Sequence, residues 1–490
     1  MSDFNRKTPL MGWASWNCFR TDISEEKIKD QAKALVETGL PEYGYTYFNL
    51  DDGFFGGRGE DGKIQFHKER FPNGIRPISD YAHELGLKAG IYAEGGDKTC
   101  GYYYDNEGAN GENVGLYGHE ESDLRQLLVE NNFDFLKVDW CGGLRLGLDE
   151  QEQYTKIGRI IEKIREEENR SIVYNICRWQ FPGVWATKMA DSWRTGADIC
   201  PVFSSVMHQL DVIKPLARYC MPGHVNDLDM MQIGNGLTYE EEKTHFAMWC
   251  MMSTPLMIGC DLKKIKPETL EILKNRELIA LNQDAACKQA YVIKETFDGA
   301  GEIQTEIWLK ELSEENEKAI AFLNRSEESV VMGLDLAEAG MTGKILEIRD
   351  VMNGEDCAAM GHISVEVKPH AVAVYRVKSK TTVSVANKDD KGEFEWKPFA
   401  AIDMETAEKY IREKNALLVD VRTEKEYQRE HLSGAIHLPY TDAHVFAKEI
   451  LPDKEQIIIV YCATGKRSYQ AKMSLEYLGY KNIYYLKREK

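Results

Sequence analysis

From Leu10 to about Asn282, short apolar segments alternate with longer charged stretches of helical period, and this alternation constrains the fold more than any other feature. The expected strands cover residues 11–16, 45–50, 88–93, 133–138, 172–177, 191–194, 224–228 and 256–259. Between them lie helical stretches such as 24–37, which opens on a Ser/Glu-type cap, and 150–168. Eight strands alternating with helices over some 270 residues predict a (β/α)8 barrel. A doubly wound open sheet is the competing solution, but no G-x-G-x-x-G follows the first strand.

In such a barrel the C-terminal strand ends form one rim, where catalytic side chains sit. The fourth strand runs out through Lys137, Asp139 and Cys141. Burying the lysine and the carboxylate unpaired would cost several kcal/mol, so they should face each other or a ligand. Alone, this reads equally well as a structural ion pair. The other strand ends add Trp13 and Trp16, Asp51 and Asp52, Tyr92 and Glu94, Cys177-Arg178-Trp179, Arg194 and Asp198, and Asp227 and Asp229. Helix capping explains any one of these, but not seven of eight strands sending acids, aromatics or bases to one rim. Carboxylates chelate hydroxyl pairs and indole faces stack on C–H faces, so the rim suits a neutral sugar.

Composition excludes other classes. A net charge of -19 argues against nucleic acid or an anionic membrane as partner. No apolar run approaches the roughly 20 residues of a membrane span. No apolar leader precedes Thr8-Pro9-Leu10, so export is not indicated and a cytoplasmic location is the expectation. The 11 cysteines form no C-x-x-C pair and no zinc-like spacing, so neither a metal nor another cofactor is expected. No oligomeric state is indicated.

Several motifs in register make the reading specific. Pro9-Leu10-Met11-Gly12-Trp13-Ala14-Ser15-Trp16, Leu50-Asp51-Asp52, Gly90-Ile91-Tyr92-Ala93, Lys98-Thr99-Cys100, Lys137-Val138-Asp139-x-Cys141, Ser192-Trp193-Arg194 and Asn226-Asp227-Leu228-Asp229-Met230 occur in order, ending with Ile279-Ala280-Leu281-Asn282-Gln283-Asp284. Over about residues 8–290 the chain resembles glycoside hydrolase family 27, the α-galactosidases and α-N-acetylgalactosaminidases. The resemblance implies an α-galactoside substrate, Asp139 as nucleophile, and Asp198 as general acid and then base in a retaining double displacement. It implies that Lys137 keeps Asp139 ionised and that Arg194 orients the sugar or Asp198. Asp51 and Asp52 would grip the 4- and 6-hydroxyls, Trp16 and Tyr92 would wall the pocket, and Asp229 would close its far side. Cys100 and Cys141 match two family cysteines that form a disulfide beside the nucleophile; in a cytoplasmic protein, reduced thiols lining the pocket are equally open.

The chain departs from the family pattern twice. Arg178-Trp179-Gln180-Phe181 stands where the 2-substituent of the sugar is read, and Glu94 stands where aspartate is usual. Arg178 could contact the sugar or aglycone, the use its five N–H donors favour, or pair with a neighbouring acid. The alternative substrates are therefore α-N-acetylgalactosaminides or other 2-substituted α-galactosides. A non-catalytic sugar-binding protein would need no Asp139–Asp198 pair.

The barrel is expected over residues 1–285, an antiparallel β-sandwich over 286–378, a Thr/Ser/Asn/Lys-rich linker over 379–395, and a small α/β domain over 396–490. In the last, Asp420-Val421-Arg422, Glu426-Tyr427, 431–439 and Tyr461-Cys462-Ala463-Thr464-Gly465-Lys466-Arg467-Ser468 resemble a rhodanese-like domain. Loop amides, a helix N-terminus, Lys466 and Arg467 would favour a Cys462 thiolate, pointing to persulfide chemistry with a sulfur donor and acceptor. A tyrosine-phosphatase loop would place five residues between Cys and Arg, and here there are four. Sulfur transfer as the principal activity, and a rhodanese-shaped binding module with an inert cysteine, remain as further readings.

Overall fold

The computed structural model describes residues 8–341, 344–380, 401–440, 443, 447, 450–462, 467–468, 471–472, 475 and 478–486. The chain divides into two compact units at residue 383. In the first, eight strands form one parallel sheet: β1 (Met11–Ala14), β2 (Tyr47–Leu50), β3 (Lys88–Glu94), β4 (Phe135–Asp139), β5 (Val173–Ile176), β6 (Ser192–Arg194), β7 (Val225–Asp227) and β8 (Leu256–Ile258). Their order is β8-β1-β2-β3-β4-β5-β6-β7. Met231 spans the remaining gap: its amide donates to Met257 O at 2.7 Å and its carbonyl accepts from Gly259 N at 3.2 Å.

Parallel strands covered on both faces read as continuous apolar runs, and here Ile91, Leu136, Val138, Tyr174, Ile176 and Trp193 are all buried. Gly90 is needed where β2 and β3 meet, because a Cβ there would lie 2.0 Å from Asn49 Oδ1. The expected strand over 11–16 stops at Ala14, since Ser15 turns into the right-handed helical region and Trp16 opens a short helix.

The helices follow their caps. Ser24 accepts from Lys27 N at 3.2 Å and opens Glu25–Glu37. Asp149 caps Glu150–Glu168, which buries Tyr154, Ile157, Ile161 and Ile164 along one stripe. The Tyr154 hydroxyl donates to the carbonyls of Val138 and Cys177, tying this helix to the ends of β4 and β5. Tyr239–Met252, opened by a Thr238/Glu241 capping box, is buried on nearly every side. Its outer face meets the sandwich, whose Trp308, Ala319, Ala321, Leu323 and Val374 join the barrel core.

The sandwich pairs a six-stranded antiparallel sheet with a two-stranded one, Val330–Asp335 with His362–Val367. The strands Tyr291–Phe297 and Glu355–Cys357 are the edges of the larger sheet. Edge strands exposed on both faces carry no apolar alternation. Buried Lys310 fixes the junction, its Nζ donating to Met251 O, Ser253 Oγ and Lys288 O.

The second unit is a five-stranded parallel sheet. Its spatial order is Ala401–Ile402, Asn482–Leu486, Ile457–Tyr461, Leu417–Asp420 and Ile436–His437, with helices Met404–Lys414 and Glu424–Arg429 among its elements. Most of the expected linker lies outside the described residues. Among the described residues, no helix is long and apolar enough to cross a membrane.

Candidate active site

Lys137 stands at the centre of the barrel rim. Its Nζ lies 2.9 Å from Asp51 Oδ2 at the end of β2 and 3.4 Å from Asp139 Oδ2 at the end of β4. The ammonium also sits 5.6 Å from the centroid of the Tyr92 ring on β3. Burial opposes its charge, but Asp139 and Asp51 outweigh burial and hold Lys137 protonated well above the ordinary lysine value. Burial pushes Asp139 above the ordinary carboxylate range, outweighing the opposite pull of Lys137. Among the described residues, Asp139 Oδ1 is buried without a hydrogen-bond partner. An orphaned buried carboxylate oxygen is costly, and its persistence points to a group kept ready for a substrate.

The far wall is built around Arg194 of β6, itself buried. Its Nη2 reaches Asp229 Oδ2 at 2.7 Å, Asp198 Oδ1 at 3.1 Å and Gly196 O at 3.1 Å. Asp229 has φ +83°, a strained backbone for a non-glycine residue and one that clusters at functional sites. Its amide donates to Asp227 Oδ1, and its carboxylate accepts from Met230 N and Ile199 N. Asp227 in turn accepts from Asn175 Nδ2 at 2.8 Å, and Asn175 also donates to Ser192 Oγ. Sequence reading noted Asp227 but not this relay from β5 to β7, although Asp227 lies in the Asn226–Met230 motif. Asp198 differs from the rest: its side chain is 61% exposed, against 6% for Asp139. Asp51, Tyr92, Lys137, Arg194, Asp227 and Asp229 all line the cavity that enters the barrel here.

Other candidate residues hold the loops. Asp52 Oδ1 accepts from Gly53 N and Oδ2 from Gly101 N, and the Tyr92 hydroxyl accepts from Cys100 N. Glu94 accepts from Gly96 N, Gly143 N and Cys141 N, so the longer acid joins the loops after β3 and β4. Cys100 and Cys141 form a disulfide across those loops, with Cα atoms 5.4 Å apart. Trp16 is half-buried beneath the Arg20 guanidinium, 4.8 Å from its ring centroid. Arg178 takes the acid pairing that the sequence left open, through one of its five N–H donors. Its Nε donates to Glu150 Oε2 at 2.6 Å, because the first turn of Glu150–Glu168 places an acid beside the end of β5.

These buried acids set a pH dependence. Burial pushes Asp52 and Asp229 up to about 7 and Glu94 up to about 8. The native chain therefore keeps protons that the unfolded chain has already released, and the associated stability is lost as pH rises through those values. His245, lowered to about 3 by burial, acts in the opposite sense only up to its unfolded value of 6.5. Lys310, lowered to about 8, does so only above that pH. The unfolding free energy should thus fall between about pH 6.5 and 8. Urea titrations across that range check this, and a rise would contradict it.

In the second unit Cys462 ends its strand buried, with Ser468 N donating to its Sγ at 3.4 Å. Arg467 feels the charge of Cys462 and is also paired with an acid. Its Nη1 and Nη2 bond Glu426 at 2.5 and 2.9 Å, and that pairing pulls Glu426 down to about 2. The charge expected to favour the thiolate is thus shared with an acid from the Glu424–Arg429 helix. Lys466 lies outside the described residues.

A closed parallel barrel whose rim gathers carboxylates around one lysine, followed by an antiparallel sandwich, defines a glycoside hydrolase. Residues 8–284 match the family described as alpha galactosidase A, residues 302–377 the alpha galactosidase C-terminal beta sandwich domain, and residues 403–488 the rhodanese-like domain. The chain belongs to the α-galactosidases of glycoside hydrolase family 27, with a rhodanese-like domain following the sandwich. It is 34% identical to an α-galactosidase of Oryza sativa subsp. japonica, over 75% of this chain and 84% of that protein. It is equally similar to alpha-galactosidase A of Cellvibrio japonicus, at 34% over 76% and 93% of the two chains. The crystal structure of α-galactosidase I from Mortierella vinacea superposes with a TM-score of 0.68 at 27% identity, over 76% of this chain and 98% of that one.

Proposed function

We propose that the protein releases terminal α-linked galactose from galactosides by a retaining double displacement. The observation that carries this is the Lys137 cluster: an ammonium bridging Asp51 and Asp139, with Asp139 Oδ1 unpartnered among the described residues. In this reading Asp139 attacks the anomeric carbon and forms a glycosyl ester while the aglycone leaves as an alcohol. Lys137 supplies the charge that keeps a buried carboxylate nucleophilic. Asp198, solvent-exposed and held on one side by Arg194, protonates the departing oxygen. It then takes a proton from the water that cleaves the ester. Asp51, also bonded to Lys137, grips hydroxyls on the side of the ring where galactose differs from glucose.

Arg178 is tied through Nε to Glu150, so its position alone does not select the acetamido alternative. The protein should hydrolyse nitrophenyl α-galactoside at least about tenfold faster than nitrophenyl α-N-acetylgalactosaminide, a gap of roughly 1.4 kcal/mol in barrier. Initial rates on the two substrates decide this, and the reverse order would transfer the chain to 2-substituted sugars.

For the second unit, we propose that Cys462 carries a persulfide. The supporting contact is the Ser468 amide directed at its sulfur. Thiosulfate would transfer its outer sulfur to the Cys462 thiolate, releasing sulfite, and cyanide would remove that sulfur as thiocyanate and regenerate the thiolate. Cys462→Ser should abolish thiocyanate formation. A rate equal to that of the unaltered protein would refute the role.

A further inference from the structure

We propose that the short helices Cys100–Tyr104 and Cys141–Leu146 form an aglycone platform, on which Tyr103 and Tyr104, with Arg145 stacked across them, take the sugar to which galactose is joined. This rests on the galactosidase reading above.

The platform begins beside the chemistry. Cys141 is the second residue after Asp139, and the disulfide fixes the first residue of one helix against the first of the other. Within the next turn of each helix, the Arg145 guanidinium lies 3.8 Å from the Tyr103 ring centroid and 5.7 Å from that of Tyr104.

The surface is apolar where a rim is ordinarily polar. Tyr104 is 60% exposed, Leu144 53% and Leu146 44%. Arg145 has no carboxylate partner among the described residues, although the chain carries 19 more negative than positive charges. An arginine left to stack on tyrosines in so acidic a protein is available to donate to hydroxyls.

The platform is also rigid. The disulfide anchors the N-terminal end of Cys100–Tyr104, and Arg20 anchors the other end through Asp105, with Nε and Nη2 bonds of 2.5 and 2.8 Å. The same Arg20 lies over Trp16 and feels the charge of Asp198. Exposed aromatic side chains on a pinned backbone bind with little ordering cost. A handful of residues is far smaller than a stable protein interface, which needs roughly 20–30 residues a side. It matches one or two pyranose rings, whose C–H faces stack on tyrosine while their hydroxyls meet the guanidinium.

Two substrates separate this role from a structural one. Raffinose leaves a disaccharide, whereas α-galactosyl fluoride leaves only a halide. Tyr104→Ala should lower kcat/KM for raffinose about three- to tenfold, chiefly through KM, and change that for the fluoride by less than about twofold. Tyr104→Phe, which keeps the ring, should retain the raffinose value. Equal losses on both substrates, or no loss on raffinose, would overturn the platform while leaving the galactosidase reading intact. If the unaltered protein hydrolyses neither substrate, the galactosidase reading fails and the platform falls with it.

Discussion

Replacing Asp139 with alanine should lower kcat/KM on nitrophenyl α-galactoside at least about a thousandfold, because no other group at the rim can form the glycosyl ester. The fold should survive. Lys137 keeps Asp51 at 2.9 Å, so the substitution does not strand a buried cation. The loss should therefore appear in kcat with little change in the thermal midpoint. Azide, small enough to enter the space left by the carboxylate, should partly restore turnover and yield β-galactosyl azide. Retention of more than a tenth of the activity without azide would remove Asp139 from the nucleophile's role.

Arg194→Met should act on the whole barrel. Arg194 is 3% exposed and holds buried Asp229 at 2.7 Å, with Asp198 on the same nitrogen. Removing one partner of a buried pair costs about 3–5 kcal/mol, because the remaining charge is left uncompensated. That cost should depend on pH. Burial already lifts Asp229 to about 7, and loss of the arginine lifts it further, so below that pH the carboxyl protonates and needs no cation. The variant should thus lose much more stability at pH 8 than at pH 5.5 by urea denaturation. An equal loss at both values would mean that the arginine serves by packing rather than by charge.

Much of this was legible from residues alone, for a physical reason. Strands such as β3 and β4 are buried on both faces and read as uninterrupted apolar runs, and Lys137 and Asp139 stand out because a charge at the end of such a run demands a partner. Ser24 announces its helix through the first-turn amide it satisfies, and Glu25 and Glu26 after it suit the helix N-terminus by charge. What escaped was set by distance in space. Nothing in the spacing of Arg178 and Glu150, 28 residues apart, places one against the other. The disulfide option for Cys100 and Cys141, 41 residues apart, came from the family resemblance, and the fold decides it by bringing the loops after β3 and β4 together. The Asn175–Asp227 relay depends in the same way on the packing of β5, β6 and β7. The pairing of Arg467 with Glu426 through both terminal guanidinium nitrogens joins residues 41 apart, and spacing alone does not place one against the other.

The retaining displacement at Asp139 is tested most directly by following the hydrolysis of nitrophenyl α-galactoside with time-resolved proton NMR. The two-step route through Asp139 predicts that α-galactose appears first and converts to the β-anomer only at the rate of mutarotation. β-Galactose as the first product would mean a single displacement by water and would contradict a covalent intermediate on Asp139.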